Sequence, residues 1–183
     1  MSENKQLRYI PLAHLYAHPD NPRKDLGDMS ELAENIKANG VLQNLTVVPA
    51  RKVGEVWDML LDTPKSSKDP FDTYVVVIGH RRLAAAKLAG LEELPCIVVE
   101  KMAPEEQLAV MLTENIQREK LTVYEEAMGF HQLHINFGKS VQEIADTYGF
   151  HPTTVRRRLK MAELDPDTLR EVSGRQSGKT SRW

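Results

Sequence analysis

The stretch SVQEIADTYGFHPTTVRRRLKMAEL, Ser140 to Leu164, reads as two short helices joined by a tight turn. Ser140-Val141-Gln142-Glu143 fits a capping box, in which the serine bonds an early backbone N–H and the glutamate reaches back. Ile144 and Ala145 face the partner helix, and alanine permits close approach there. Gly149 allows the positive φ that a sharp turn needs. Pro152 opens the second helix, and Val155 and Leu159, four apart, give it a buried stripe. Thr153, Thr154, Arg156, Arg157 and Lys160 fall off that stripe. Hydroxyls and guanidinium groups near the start of a second helix suit major-groove readout and phosphate contact. The alternative is an ordinary helical hairpin with a basic, solvated face. Turn, caps and charge agree on DNA binding.

Charge distribution supports this. The net charge of −2 conceals a balance of −6 over residues 1–150 and +4 over residues 151–183. A basic C-terminal segment on an acidic body points to an anionic partner there. At 183 residues the chain makes one domain or two small ones, and 41% apolar with 27% charged residues is ordinary for a globular protein. No stretch approaches the roughly 20 apolar residues of a membrane span, and no signal peptide is evident. A single cysteine excludes an internal disulfide. A cytoplasmic protein is the default expectation.

Upstream, strands and helices alternate. Arg8 to Leu15 alternates weakly, and Asp20-Asn21-Pro22-Arg23 is turn-like. Asp28 to Ala38 reads as an amphipathic helix with Met29, Leu32 and Ile36 on one face, stopped by Asn39-Gly40. Strands are expected at Leu45–Val48, Tyr74–Ile78 and Pro95–Val99. Val53 to Leu61 reads as either a strand or a short helix, and Thr63 to Asp72 as a surface loop. Arg81 to Leu88 is alanine-rich and helical, ending at Gly90. Ala103-Pro104 opens a helix running towards Asn115. After Leu121 strand signals vanish, and Thr122 to Phe137 forms one helix that Gly129 weakens. The expected fold class is α+β, a small mixed α/β N-terminal domain followed by an all-α helix-turn-helix domain. The expected boundaries are 1–120, 121–172 and a flexible tail at 173–183.

Two clusters upstream carry chemistry. Ile78-Gly79-His80-Arg81-Arg82 is a strand, a glycine turn and a helix start. Backbone N–H groups at such a start, with two guanidiniums, form an anion site. Taken alone, a strand-glycine-helix junction with paired surface arginines is the commoner reading. In Thr113-Glu114-Asn115-Ile116-Gln117-Arg118, the Glu114 carboxylate and the Asn115 amide oxygen suit Mg²⁺ completed by phosphates. The alternative there is a polar helix end, with Arg118 complementing the dipole. Cys96 reads as a small buried hydrophobe, and His131 with His134 lacks a third metal ligand.

Asn21-Pro22-Arg23, Gly40-Val41-Leu42-Gln43, Gly79-His80-Arg81-Arg82, Glu114-Asn115-Ile116-Gln117-Arg118 and Tyr124-Glu125-Glu126-Ala127 follow one another before the helix-turn-helix. In that order they resemble the ParB/RepB family of chromosome and plasmid partition proteins, over roughly Tyr9 to Leu164. The resemblance implies an N-terminal domain that binds CTP with Mg²⁺ and a helix-turn-helix that recognises a palindromic centromere-like site. It implies a clamp of two protomers that closes on nucleotide binding, and a ParA-type ATPase partner met through the N-terminal tail. It places Gln43 on the nucleobase side, Gly79, Arg81 and Arg82 in the phosphate-binding turn with His80 beside them, and Glu114 and Asn115 at the Mg²⁺ position with Arg118 close by.

The departures are specific. The family usually has a glutamate tied to hydrolysis where this chain has His80, so the resemblance implies nucleotide binding without implying turnover. Asn44 and Val123 stand where prolines are usual, and residues 50–73 exceed the family's strand connection. The C-terminal dimerisation domain of full-length members is expected to be missing. Two other functions compete. One is a helix-turn-helix transcriptional regulator of a mobile element without a nucleotide switch. The other is a ParB-like nuclease, for which Glu114 is the only candidate carboxylate.

Overall fold

The computed structural model describes residues 5–53, 56–58, 73–117 and 121–164. The chain divides into two compact units, one of residues 1–21 and 25–111, the other of residues 22–24 and 112–183.

The first unit is a mixed sheet with helices. Its strands are β1 (Lys5–Pro11), β2 (Leu15–Ala17), β3 (Leu45–Val53), β4 (Val56–Asp58), β5 (Thr73–Ile78) and β6 (Glu93–Val99). The spatial order is β1-β6-β3-β5-β2, and β4 pairs with the far end of β3. β3 runs parallel to β6 and antiparallel to β5, β1 is antiparallel to β6, and β2 is parallel to β5. Tyr74 to Val77 in β5 are all buried, which is why the strand is apolar throughout rather than alternating. Helices α1 (Ser30–Asn39) and α2 (His80–Ala89) pack on each other. Met29, Ala33 and Ile36 join Leu83, Ala85 and Ala86 in one core with Leu45, Val47, Val76, Leu94, Cys96 and Val98 of the sheet. The alanines of α2 let the helices approach closely.

Helix α3 (Pro104–Gln117) contains the boundary between the units. The second unit takes the end of α3 and then α4 (Val123–Phe137), α5 (Val141–Tyr148) and α6 (Pro152–Ala162). Ala127, Phe130, Leu133, Ile144, Ala145, Val155 and Leu159 are its buried apolar residues. The Phe130 ring lies 5.7 Å from that of Tyr148 and meets Phe150 edge-on at 5.4 Å. Gly129 has a packing reason: a Cβ there would overlap the Leu112 side chain.

The mixed α/β domain and the helical run after it are as the sequence implies. β3 continues past Val48, where the sequence suggested an end, because β5 pairs with it as far as Ala50 and β4 from Arg51 on, while its registered pairs with β6 stop at Val47. Pro49 therefore needs no donor on that side and pairs with Tyr74 of β5 alone. Val53 to Leu61, read as strand or short helix, contributes strand at Val56–Asp58. The expected loop at 63–72 lies outside the described residues, as do Arg118 and the tail at 173–183.

Candidate functional site

In the first unit, Gly79 precedes α2 with φ at +106°, a region that favours glycine. A Cβ there would sit 3.1 Å from the Leu45 side chain and 3.3 Å from the Arg82 guanidinium. Glycine thus meets two demands, the backbone turn and the space taken by Arg82. The start of α2 has no side-chain cap and no acidic residue in its first turn. Early N–H groups and the positive dipole end at a helix start favour negative charge in general.

Both arginines are engaged by main chain. Arg82 Nη1 donates to the carbonyls of Gln43 at 2.5 Å and Asn44 at 2.7 Å. Arg81 Nη1 donates to the Leu26 carbonyl, and its Nη2 reaches the Asp28 carbonyl at 3.5 Å. The paired guanidiniums therefore hold the segments on either side of α1 to the glycine turn. Gln43 is brought to this turn through its backbone, while its side chain is exposed.

His80 is buried, and its Nε2 accepts the His18 backbone N–H at 3.3 Å. That nitrogen therefore carries no proton. His18 is buried as well. Its Nδ1 accepts the Asp20 N–H at 3.0 Å, so Nε2 bears the proton and donates to Gln107 Oε1 at 2.9 Å. Gln107, fully buried, donates onward to the Met102 carbonyl at 2.7 Å. The chain His80–His18–Gln107–Met102 ties the glycine turn to the start of α3. Reading His18 and Gln107 from the sequence was not feasible, since only the fold brings residues 62 and 89 apart together.

In the second unit, Glu114 is half-buried and Asn115 buried near the end of α3. Glu125 is buried in the first turn of α4. Its Oε1 accepts the Lys24 N–H at 2.9 Å, and its Oε2 accepts the Thr122 N–H at 2.8 Å. Thr122 accepts the Glu125 N–H in return, completing a second capping box. The Thr122-x-x-Glu125 spacing carries the same local signal as the box at Ser140.

The Ser140–Glu143 box is present, and Gly149 takes φ +73° at the turn. On α6, Val155 and Leu159 are buried. Thr153, Arg156, Arg157 and Lys160 are exposed, and Thr154 is half-buried. Thr153, Arg157 and Lys160 follow an i, i+4, i+7 spacing opposite the buried stripe. Arg158 is different: it turns inward and pairs with Glu126 of α4 at 2.9 Å. His151 caps α6 by accepting the Thr153 N–H.

Comparison with known proteins follows the same lines. The ParB N-terminal domain family matches residues 1–116. The chromosome-partitioning protein Spo0J of Thermus thermophilus is 35% identical over 162 residues, 87% of this chain and 52% of that protein. The probable chromosome-partitioning protein ParB of Vibrio cholerae is 31% identical over 178 residues, 96% of this chain and 54% of that one. The chain spans about half the length of these curated relatives. The solved structure of C-terminally truncated ParB from Caulobacter crescentus, complexed to the centromeric parS site, matches with TM-score 0.56 and 28% identity. That match covers 91% of this chain and 78% of the other. With the family domain matched over well more than half its length, this chain belongs to the ParB family of chromosome-partitioning proteins.

Proposed function

We propose that this chain is a DNA-binding partition protein that binds CTP with Mg²⁺ in its N-terminal part and a centromere-like duplex through its helix-turn-helix. The observation that carries the DNA reading is the outward face of α6, where Thr153, Arg157 and Lys160 align opposite the buried Val155 and Leu159. The likeness to a ParB complexed to parS, which covers 91% of this chain, supports the same assignment.

The nucleotide reading rests on the glycine turn. The start of α2 carries no side-chain cap and no acidic residue in its first turn, and Arg82 lies over Gly79. Such a turn fits phosphate oxygens. Gln43 stands beside it, so the 43–44 segment that Arg82 holds is the place for the nucleobase end. By the family motif, Glu114 and Asn115 would offer hard oxygens of the kind that a phosphate-bound Mg²⁺ takes from protein, and Arg118 belongs to the same motif. The bound ion would neutralise phosphate charge; this chain's residues orient the nucleotide. The same reading brings two protomers together on nucleotide binding and includes a ParA-type ATPase as partner.

Calorimetric titration of the full chain with CTP, ATP, GTP and UTP in Mg²⁺, with and without a parS duplex, tests this. Selective binding of CTP is expected. DNA binding with no response to any nucleotide would leave a helix-turn-helix regulator instead. That second reading is favoured by one observation: His80, whose Nε2 is taken by the His18 N–H, replaces the family's usual acid.

A further inference from the structure

His151 is an unusual residue to cap a helix, since serine, threonine, aspartate and asparagine are preferred there. Its Nδ1 receives two groups from one residue. The Thr153 backbone N–H points at it from 3.3 Å, and the Thr153 hydroxyl lies 2.7 Å away. A backbone N–H only donates, so Nδ1 carries a lone pair and no proton. Two donors then share that lone pair, and the hydroxyl proton of Thr153 is directed at His151. The exposed side of Oγ1 is left with lone pairs only.

A threonine hydroxyl usually serves as donor or acceptor and so reads either kind of base edge. Here its polarity is set. Thr153 stands on the same outward stripe as Arg157 and Lys160, at the N-terminal end of α6 where a recognition helix approaches base edges. We propose that His151 is a positioning residue that holds the Thr153 hydroxyl as an acceptor, so that Thr153 selects an exocyclic amino group, adenine N6 or cytosine N4, in the major groove. The inference rests on the DNA-binding reading of α6 given above. Capping alone needs only the backbone N–H; the hydroxyl contact is the additional feature.

Selection of bound sequences from randomised DNA duplexes by the full chain tests the pair. At one position per half-site, adenine or cytosine is expected to be favoured roughly two- to tenfold, the range of a single net hydrogen bond. Thr153→Val should flatten that position alone, and Thr153→Ser should keep it. His151→Gly is the decisive variant. Glycine caps a helix nearly as well but offers nothing to the hydroxyl, so the preference should spread to thymine and guanine with thermal stability nearly unchanged. An unaltered preference in His151→Gly overturns the proposal, as does a parental preference for guanine or thymine at the position Thr153→Val flattens. If the parent chain selects no sequence at all, the DNA-binding reading itself falls and takes the pair with it. If the parent selects a site indifferent to both residues, only the pair falls.

Discussion

Arg158 Nε donates to Glu126 Oε2 at 2.9 Å, joining α6 to the first turn of α4. Both side chains are largely covered, at 18% and 16% exposure. The third arginine of Arg156-Arg157-Arg158 is thereby a strut, while its two neighbours face outward. Arg158→Ala strands a half-buried carboxylate and should cost about 1.5–3 kcal/mol, as for a hydrogen bond to a charged group. Urea unfolding measures this. Arg157→Ala should leave stability within about 0.5 kcal/mol and lower DNA affinity, with a shallower salt dependence.

Gly79 and Arg82 should fail in different ways. Gly79→Ala places a Cβ against Leu45 and Arg82 at a positive φ, with an expected strain of about 1–3 kcal/mol. It should also lose nucleotide affinity. Arg82→Ala releases the carbonyls of Gln43 and Asn44. It should abolish nucleotide binding in calorimetry while the far-ultraviolet circular dichroism stays that of the parent. CTP binding that survived Arg82→Ala would move the nucleotide site elsewhere.

The close contact of Gly129 with Leu112 makes a conservative change costly. Gly129→Ala normally favours a helix by up to about 1 kcal/mol. Here the added methyl meets the Leu112 side chain, and overpacking should outweigh propensity by about 1–3 kcal/mol. Leu112→Ala in the same chain should make Gly129→Ala less harmful than it is alone, which a double-mutant cycle on thermal unfolding would show.

Acid should loosen two helix starts. The backbone and side chain of Ser140 hold the Glu143 carboxyl below the usual glutamate range. The Ser30 N–H and hydroxyl do the same for Asp28. A carboxyl depressed by folding stabilises the native state above its unfolded-state pKa, and that contribution fades as pH falls through the native value. Carboxyl chemical shifts followed by NMR should place both midpoints below those of denatured chain. Midpoints at ordinary values would mean that these bonds do not persist in solution.

Cys96 is fully buried in β6, and desolvation pushes its thiol up to about 12. The thiolate is the reactive form, so native protein at neutral pH should resist thiol-specific labelling. One equivalent should react on unfolding. Rapid labelling of the native chain would refute the buried assignment.

The helix-turn-helix was legible because its signals are local. The Ser140 box, Gly149 at +73° and the Val155–Leu159 stripe depend on residues within a few positions of each other. The strand-glycine-helix turn at Gly79 was legible for the same reason, since its signal is local. β2 was not legible: three residues make a strand only because β5 lies alongside. Nor were the roles of the arginines, because Arg82 finds its acceptors at residues 43 and 44 and Arg158 its partner at residue 126. By itself the sequence determined most of the order of elements, the Ser140 cap, the strands that are buried and the motifs of the family. Tertiary structure alone decided that Arg158 turns inward to Glu126, why Gly129 is a glycine, and that His18, His80 and Gln107 form one buried chain. Caps and periodicity act over one or two helical turns, whereas a buried polar group must find its partner wherever the fold delivers one.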